Sequence, residues 1–231
     1  MESPKTSEIK LFLTFVYVLI FPVVLLFISG NWLWLEGWIF SIWFLGLCYL
    51  VLIYLYRYDP ALLEERYRQP GSGKEKRWDK YFVYILFVSF VIWFVIMPLD
   101  AQRFAWTTNF PVWLKSVGLI FLIGSAFFLF RSYRDNSFVS PLVRIQSERG
   151  QKVVSTGVYG FVRHPMYLGG ILLFLGAPLL LGSVYGLIVG IFLSILFLIR
   201  ITGEEKMLVE ELDGYVDYKK KVKYRLIPYI W

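Results

Sequence analysis

The sequence predicts an all-α, polytopic integral membrane protein, and three observations predict it. Of the 231 residues, 58% are hydrophobic and 18% charged, with a mean hydropathy of +0.59. An average soluble domain is about 45–50% apolar and about 25% charged. The apolar residues are gathered into runs near the ~20 residues that a helix needs to cross a hydrocarbon core. The basic residues fall mainly between those runs, as they do in the loops on the cytosolic side of a membrane. This composition excludes an ordinary soluble enzyme and a disordered chain.

Taken in order, residues 1–8 mix charges, and no small-residue cleavage site follows the apolar run after them. Residues 9–29 therefore read as a retained first span and not as a removed signal. Residues 37–56, 81–98 and 113–130 read as three more. The segment Gln69-Pro70-Gly71-Ser72-Gly73, between the second and third spans, has the composition of a flexible turn. Residues 167–199 are apolar over 33 positions. As one helix this stretch would be about 50 Å long, too long for a core of about 30 Å. Gly176-Ala177-Pro178 and Gly182-Ser183 interrupt it, which predicts a tight hairpin with arms at 167–180 and 184–201. The first arm is short, as for a helix partly buried in protein. The expected total is about six membrane-embedded helices.

Beyond Arg200, Leu208, Leu212, Tyr215, Val216 and Val222 recur near helical spacing among charged residues. That pattern predicts a cytosolic amphipathic C-terminal helix, packed on the domain or lying at the interface. Pro228 prevents its regular continuation. The chain thus divides into a membrane region of four helices at 1–130 and a region at 131–231 that holds the hairpin and most of the polar candidates.

Orientation follows from counting Lys and Arg. Of 24, 22 fall in the N-terminal tail, the loops at 57–80 and 131–163, and the tail after Ile199; Arg103 and Lys115 are the other two. The bias predicts that both termini and both long loops are cytosolic. Trp32, Trp34, Trp38, Trp106 and Trp113 cluster at the expected outer ends, as interfacial aromatics do. The net charge of +7 is accounted for by these loops without a nucleic-acid partner. Cys48 is the single cysteine, so no intrachain disulfide forms, and with His164 as the single histidine a Cys/His zinc site lacks ligands.

The chemistry is concentrated where the hairpin meets the cytosolic segments. Pro165 suits the first turn of a helix, and His164 before it is pushed towards extended geometry. The N–H groups of Met166, Tyr167 and Leu168 would then face a cytosolic cavity, a ready site for carboxylate or phosphate. Arg200 and Glu204 are four apart on the returning arm, on one helical face. A two-helix hairpin makes the start of one arm and the end of the other neighbours, so His164 and Tyr167 should face Arg200 and Glu204.

Arg163-His164-Pro165-Met166-Tyr167-Leu168-Gly169, followed by the hairpin, Glu204-Glu205, Tyr215, Tyr218, Arg225 and Pro228, resembles the isoprenylcysteine carboxyl methyltransferase family. It is also similar to the membrane phospholipid N-methyltransferases, which share an RHPxYxG motif and a Glu-Glu pair. Asn136–Pro141, Val143–Gln146 and Val153–Gly157 extend the match upstream, so the resemblance covers about 131–231. It implies a membrane methyltransferase that uses S-adenosyl-L-methionine and acts on a lipid or lipid-modified acceptor, by carboxyl O-methylation. The implied cofactor contacts are Gln146, the segment Gln151, Lys152, Val153 and Val154, then Tyr159, the segment His164, Pro165, Met166 and Tyr167, and Glu204. The implied substrate-side residue is Arg200, and Arg200 and Glu204 are the catalytic pair. No GxGxxG follows a strand pattern, so a Rossmann cofactor domain is absent from the expectation.

A methyl group on a sulfonium is already activated, so catalysis is positioning and electrostatics. A carboxylate acceptor needs no base, only a cation such as Arg200 to hold it in a two-pronged grip. An amine or thiol would need a base, and His164 and Glu204 are the candidates. Blander readings stand beside these. His164 can cap a helix, and Arg200 can snorkel at the interface. Glu205, Glu210 and Glu211 read as solvated helix surface, Gly186 and Gly190 as close helix packing, and Lys219, Lys220 and Lys221 as contacts to anionic lipid. Two other functions compete: an NADPH-dependent sterol-type reductase, with Arg144, Arg149 and Lys152 serving the dinucleotide, and a non-enzymatic membrane binding protein.

Overall fold

The computed structural model describes residues 4–68, 71 and 75–231, with the backbone alone for 4–8. Among them there is no strand. The helices are α1 (Pro4–Ser29), α2 (Leu35–Tyr58), α3 (Pro60–Arg66), α4 (Arg77–Pro98), α5 (Val112–Asp135), α6 (Pro165–Leu181), α7 (Val184–Glu211) and α8 (Tyr215–Lys221). Five of the described helices are long and apolar enough to cross a membrane, and α6 is a shorter apolar helix. The chain is an integral, multi-pass membrane protein. Apart from Gly71, the turn expected at 69–73 lies outside the described residues.

Each of the four single spans is present, with α4 continuing through Pro98 into a π-helical turn at Leu99–Arg103. That turn carries Asp100, which is fully buried. Asp100 accepts hydrogen bonds from Thr107 and from the Ser183 hydroxyl (2.6 Å), tying this end of α4 to the hairpin turn. Ser183 in turn accepts from the Gly186 N–H and caps α7. Of the five tryptophans expected at an interface, Trp34 departs: it is 3% exposed, beneath Gly37, while the other four are exposed.

The hairpin forms, with two corrections. Gly176-Ala177-Pro178 does not interrupt its first arm. Pro178 lacks an N–H for the Phe174 carbonyl, and the Trp93 indole N–H donates to that carbonyl instead, at 3.2 Å. The freed group is satisfied by a neighbouring helix, so the helix continues. The turn comes at Gly182, where φ is +79° and the N–H groups of Gly182 and Ser183 both donate to the Pro178 carbonyl. The second arm runs beyond its expected end at Ile201 as far as Glu211, and so absorbs Leu208. The expected amphipathic helix is therefore split. Gly214, at φ +81°, breaks the chain, and only the seven residues of α8 remain helical, with Tyr215 and Tyr218 buried.

Small residues let the helices approach. A Cβ at Gly118 on α5 would lie 2.4 Å from the Leu180 nitrogen, and one at Gly190 would lie 2.1 Å from the Phe174 oxygen. A Cβ at Gly186 would lie 2.5 Å from Met97 Cγ, which fits the packing reading of these glycines. The membrane core gathers Phe40, Trp93, Leu122, Phe174 and Leu193. The large apolar side chains left exposed on α1, α4 and α7 suit contact with lipid tails.

Candidate functional site

At the end of the bundle where α6 begins and α7 leaves, side chains from distant parts of the chain converge on one cavity. It has about 810 Å³ of space between atoms, part of it open to solvent. The start of α6 is pinned by the C-terminal segment: the N–H groups of Arg163 and His164 donate to the carbonyls of Tyr224 (3.0 Å) and Arg225 (2.9 Å). His164 has φ −127° and ψ 57°, so its ψ falls short of the extended geometry expected before proline, and Pro165 opens the helix. The Leu168 N–H is not free as expected, since it donates to the His164 carbonyl.

Arg200, Glu204, His164 and Tyr167 meet, as the hairpin topology predicts, and all four line the cavity. The Tyr167 hydroxyl donates to the Glu204 carboxylate at 2.5 Å. His164 pairs with the next carboxylate along, Glu205, at 3.3 Å. Glu205 overturns its reading as solvated surface. It is 3% exposed and also receives Arg163 Nε (2.6 Å) and Arg225 Nε (2.8 Å). Successive helical residues point about 100° apart, which turns Glu204 to the cavity and Glu205 into the protein. Glu210 and Glu211 are exposed, as read.

Arg200 is buried, but not as a free fork. Asp79, in the first turn of α4 and fully buried, accepts from its Nε (2.9 Å) and Nη2 (3.0 Å). Nη2 also donates to the Pro141 carbonyl at 2.8 Å. The two-pronged grip expected for an acceptor carboxylate is already taken. Asp79 binds the cavity-lining loop as well, through the Val143 N–H at 2.7 Å.

The remaining wall comes from the loop between α5 and α6. Gln151, Lys152, Val153, Val154, Tyr159 and Met166 line the cavity as expected. Gln146 and Pro165 do not. Gln146 is fully buried behind the wall: it donates to the Phe138 carbonyl (2.7 Å) and accepts from Arg149 (2.6 Å), while its N–H donates to Gln151 Oε1 (2.7 Å). Pro165 shapes the helix start without facing the cavity. Gly157, at φ +58°, is required as glycine, since a Cβ there would lie 2.0 Å from an Asp135 oxygen. That oxygen accepts the Val158 N–H and so places Tyr159.

The loop is held from below by α3. Arg144 makes two hydrogen bonds to Glu65, at 3.0 and 2.6 Å. Burial works against the Glu65 charge, but hydrogen bonds from Arg144 and Ser140 and the charges of Arg144 and Arg68 hold its carboxyl below the ordinary value of 4.5. Burial raises the Tyr159, Tyr215 and Tyr218 phenols, which stay neutral. The Tyr218 hydroxyl donates to the Tyr159 carbonyl at 2.7 Å. Asp79, Glu65 and Glu205 were not recognised in the sequence. Of the three, only Glu205 carried a signal, as half of the Glu-Glu pair.

The cavity has the donor set that S-adenosylmethionine would need. Glu204 offers a carboxylate for a cationic centre, Lys152 a cation for a carboxylate, and Val143, Val153, Met207 and Leu208 an apolar wall for a flat ring. Among the described residues no group of three His, Cys, Asp or Glu is placed to hold a metal ion.

Residues 113–213 match the family model described as phospholipid methyltransferase. The chain is 41% identical over 85 residues to the protein-S-isoprenylcysteine O-methyltransferase of Saccharomyces cerevisiae, and 39% identical over 85 residues to that of Schizosaccharomyces pombe. Each alignment covers 36% of this chain and 36% of the relative, so the chain spans little more than a third of the length of the curated relatives it matches. A Mus musculus delta(14)-sterol reductase is 28% identical over 105 residues, 44% of this chain and 25% of that protein. The fold is similar to a solved structure of the eukaryotic intramembrane Ras methyltransferase, isoprenylcysteine carboxyl methyltransferase. The TM-score is 0.58 and the identity 22%, over 93% of this chain and 74% of the other. The family-model match thus covers α5 to α7 and most of the cavity lining, stopping short of Tyr215 and Tyr218, and the structural likeness extends to the helices around them.

Proposed function

We propose that this protein is an integral-membrane, S-adenosylmethionine-dependent methyltransferase that O-methylates the carboxylate of a lipid or lipid-modified acceptor. The observation that carries this reading is the meeting of Arg200 and Glu204, one helical turn apart, with His164 and Tyr167 in the wall of one cavity. The names of the two yeast relatives add the acceptor class, an S-isoprenylcysteine carboxylate. S-adenosylmethionine supplies a methyl group already activated on a positively charged sulfur.

The side chains then have positioning and electrostatic roles. Glu204, held by the Tyr167 hydroxyl, balances the positive charge on the cofactor side. Gln151 and Lys152 bind its amino-acid end, with the first turn of α6, and Val153, Leu208 and Met207 enclose its ring. Arg200 orients the acceptor. Both termini and the two long loops face the cytosol, so the cofactor enters from that side and the acceptor from the bilayer. A carboxylate acceptor suits this site because no side chain need remove a proton: His164 is engaged by Glu205 and Glu204 by Tyr167.

The sterol-reductase relative supports a second reading, in which the cavity takes NADPH. That larger anionic ligand needs unpaired basic groups. Arg144 is bound by Glu65 and Glu148, Arg163 by Glu205, and Arg149 by Gln146, which leaves Lys152. Calorimetry on the purified protein in detergent separates the two. S-adenosylmethionine should bind and NADPH should not, and labelled methyl should pass to an S-isoprenylcysteine carboxylate and not to an amine headgroup. Binding of NADPH alone would overturn the proposal.

A further inference from the structure

Asp79 lies outside the segment that matches the methyltransferase pattern, on the helix that follows the first basic loop. It is fully buried, and the carboxylate sits behind Arg200 relative to the cavity: Arg200 is in the wall and Asp79 is not. A guanidinium has five N–H donors in a fixed plane. Asp79 takes the Nε donor and one on Nη2, and the Pro141 carbonyl takes the other on Nη2. The Phe82 ring lies 5.9 Å from the guanidinium carbon. The Nη1 edge is therefore the part of Arg200 left for a ligand.

We propose that Asp79 is a positioning residue for the acceptor: by occupying the two-pronged face of Arg200 it leaves only the Nη1 edge to the cavity, so the acceptor carboxylate is held through one oxygen and attacks with the other. This rests on the methyl-transfer reading above. A guanidinium that gripped both carboxylate oxygens would tie up both as hydrogen-bond acceptors. Held by one, the group keeps its second oxygen directed at the methyl carbon. That oxygen forms the new C–O bond as the bond from the methyl carbon to sulfur breaks, and the electron pair of the broken bond stays on sulfur. Carboxylate and sulfonium become a neutral ester and a neutral thioether, and no proton moves. Asp79 also anchors Val143, so the cavity wall and the Arg200 edge share one reference point.

The test uses the full chain in detergent with two variants. Asp79→Asn removes the charge. Asp79→Glu keeps it but shifts the carboxylate by about one bond length, and a misplacement of about 1 Å can lower a rate about a hundredfold. Both should bind S-adenosylmethionine within about threefold of wild type while kcat falls at least about tenfold. A folded Asp79→Glu protein with wild-type kcat would overturn the assignment, as would failure of both variants to fold, which would make the role purely structural. The grip itself is read without turnover in the ¹⁵Nε resonance of Arg200. Adding an S-isoprenylcysteine carboxylate should leave it in place in wild type, and displacement by the ligand would overturn the proposal. A wild-type protein that methylates no carboxylate would instead remove the acceptor class. Asp79 would then stand or fall on whether Asp79→Asn exposes Arg200 Nε to solvent exchange, with persistent protection overturning it.

Discussion

Glu204 and Glu205 are adjacent in the chain but not in their surroundings, and the two should fail differently when neutralised. Glu205 is buried among Arg163, His164 and Arg225. Removing one partner of a buried ion pair strands the other charge and typically destabilises by about 3–5 kcal/mol. Glu205→Gln should therefore lower the thermal unfolding midpoint in detergent, and an unchanged midpoint would show that the cations are satisfied without it. Glu204 lines the cavity, with Tyr167 as its partner. Glu204→Gln should keep the fold and weaken S-adenosylmethionine binding about tenfold to a hundredfold, the worth of a charge-assisted contact of about 1.5–3 kcal/mol. Calorimetry showing unchanged affinity would move the cofactor elsewhere. The sequence displayed both glutamates but not which one turned inward, because that depends on what packs against α7. Asp79 left no local trace at all: it is 121 residues from Arg200, and no spacing rule reaches that far.

At the scale of the helices, the length of the apolar runs located the four single spans and the hairpin, while the exceptions arose from partners in other helices. Pro178 looked like a break because its own sequence holds nothing to satisfy the Phe174 carbonyl; the donor is Trp93, on α4. The α5–α6 contact rests on glycine in the same hidden way. Gly118→Ala would set a methyl 2.4 Å from the Leu180 nitrogen and 2.7 Å from the Gly176 oxygen. Backbone cannot yield as a side chain does, so the helices should be forced apart at about 1–3 kcal/mol. A thermal midpoint equal to wild type would show that the crossing relaxes. The loop above α3 gives a pH signature. The folded Glu65 carboxyl lies below its ordinary value of 4.5, so its contribution is complete above that value and is lost as pH falls through the folded one. Chemical unfolding at descending pH should show wild type losing stability below pH 4.5 more steeply than Glu65→Gln. Parallel curves would mean that the Arg144 pair contributes nothing.

For the molecule as a whole, the fold class and the hairpin mouth were legible because they follow from span length and connectivity, which the chain states directly. The shape of the cavity was not, since its wall is held from behind by Asp79 and Glu65, which come from the half of the chain that reads only as spans and basic loops. Orientation is predicted in a third way, through charge. In the sequence, 22 Lys and Arg fall in the segments expected on the cytosolic side against 2 elsewhere, as the retention of positive loops on that side predicts. The hairpin turn is a poor place to test this, because Ser183 is fully buried against Asp100. Thr108, exposed on the sparsely charged face, and Ser147, exposed on the basic face, are accessible instead. With Cys48 replaced, a membrane-impermeant maleimide applied to intact cells should label Thr108→Cys and spare Ser147→Cys until the membrane is opened. The opposite pattern would place the cavity, and with it Arg200 and Glu204, on the outer side, where cytosolic S-adenosylmethionine could not reach them.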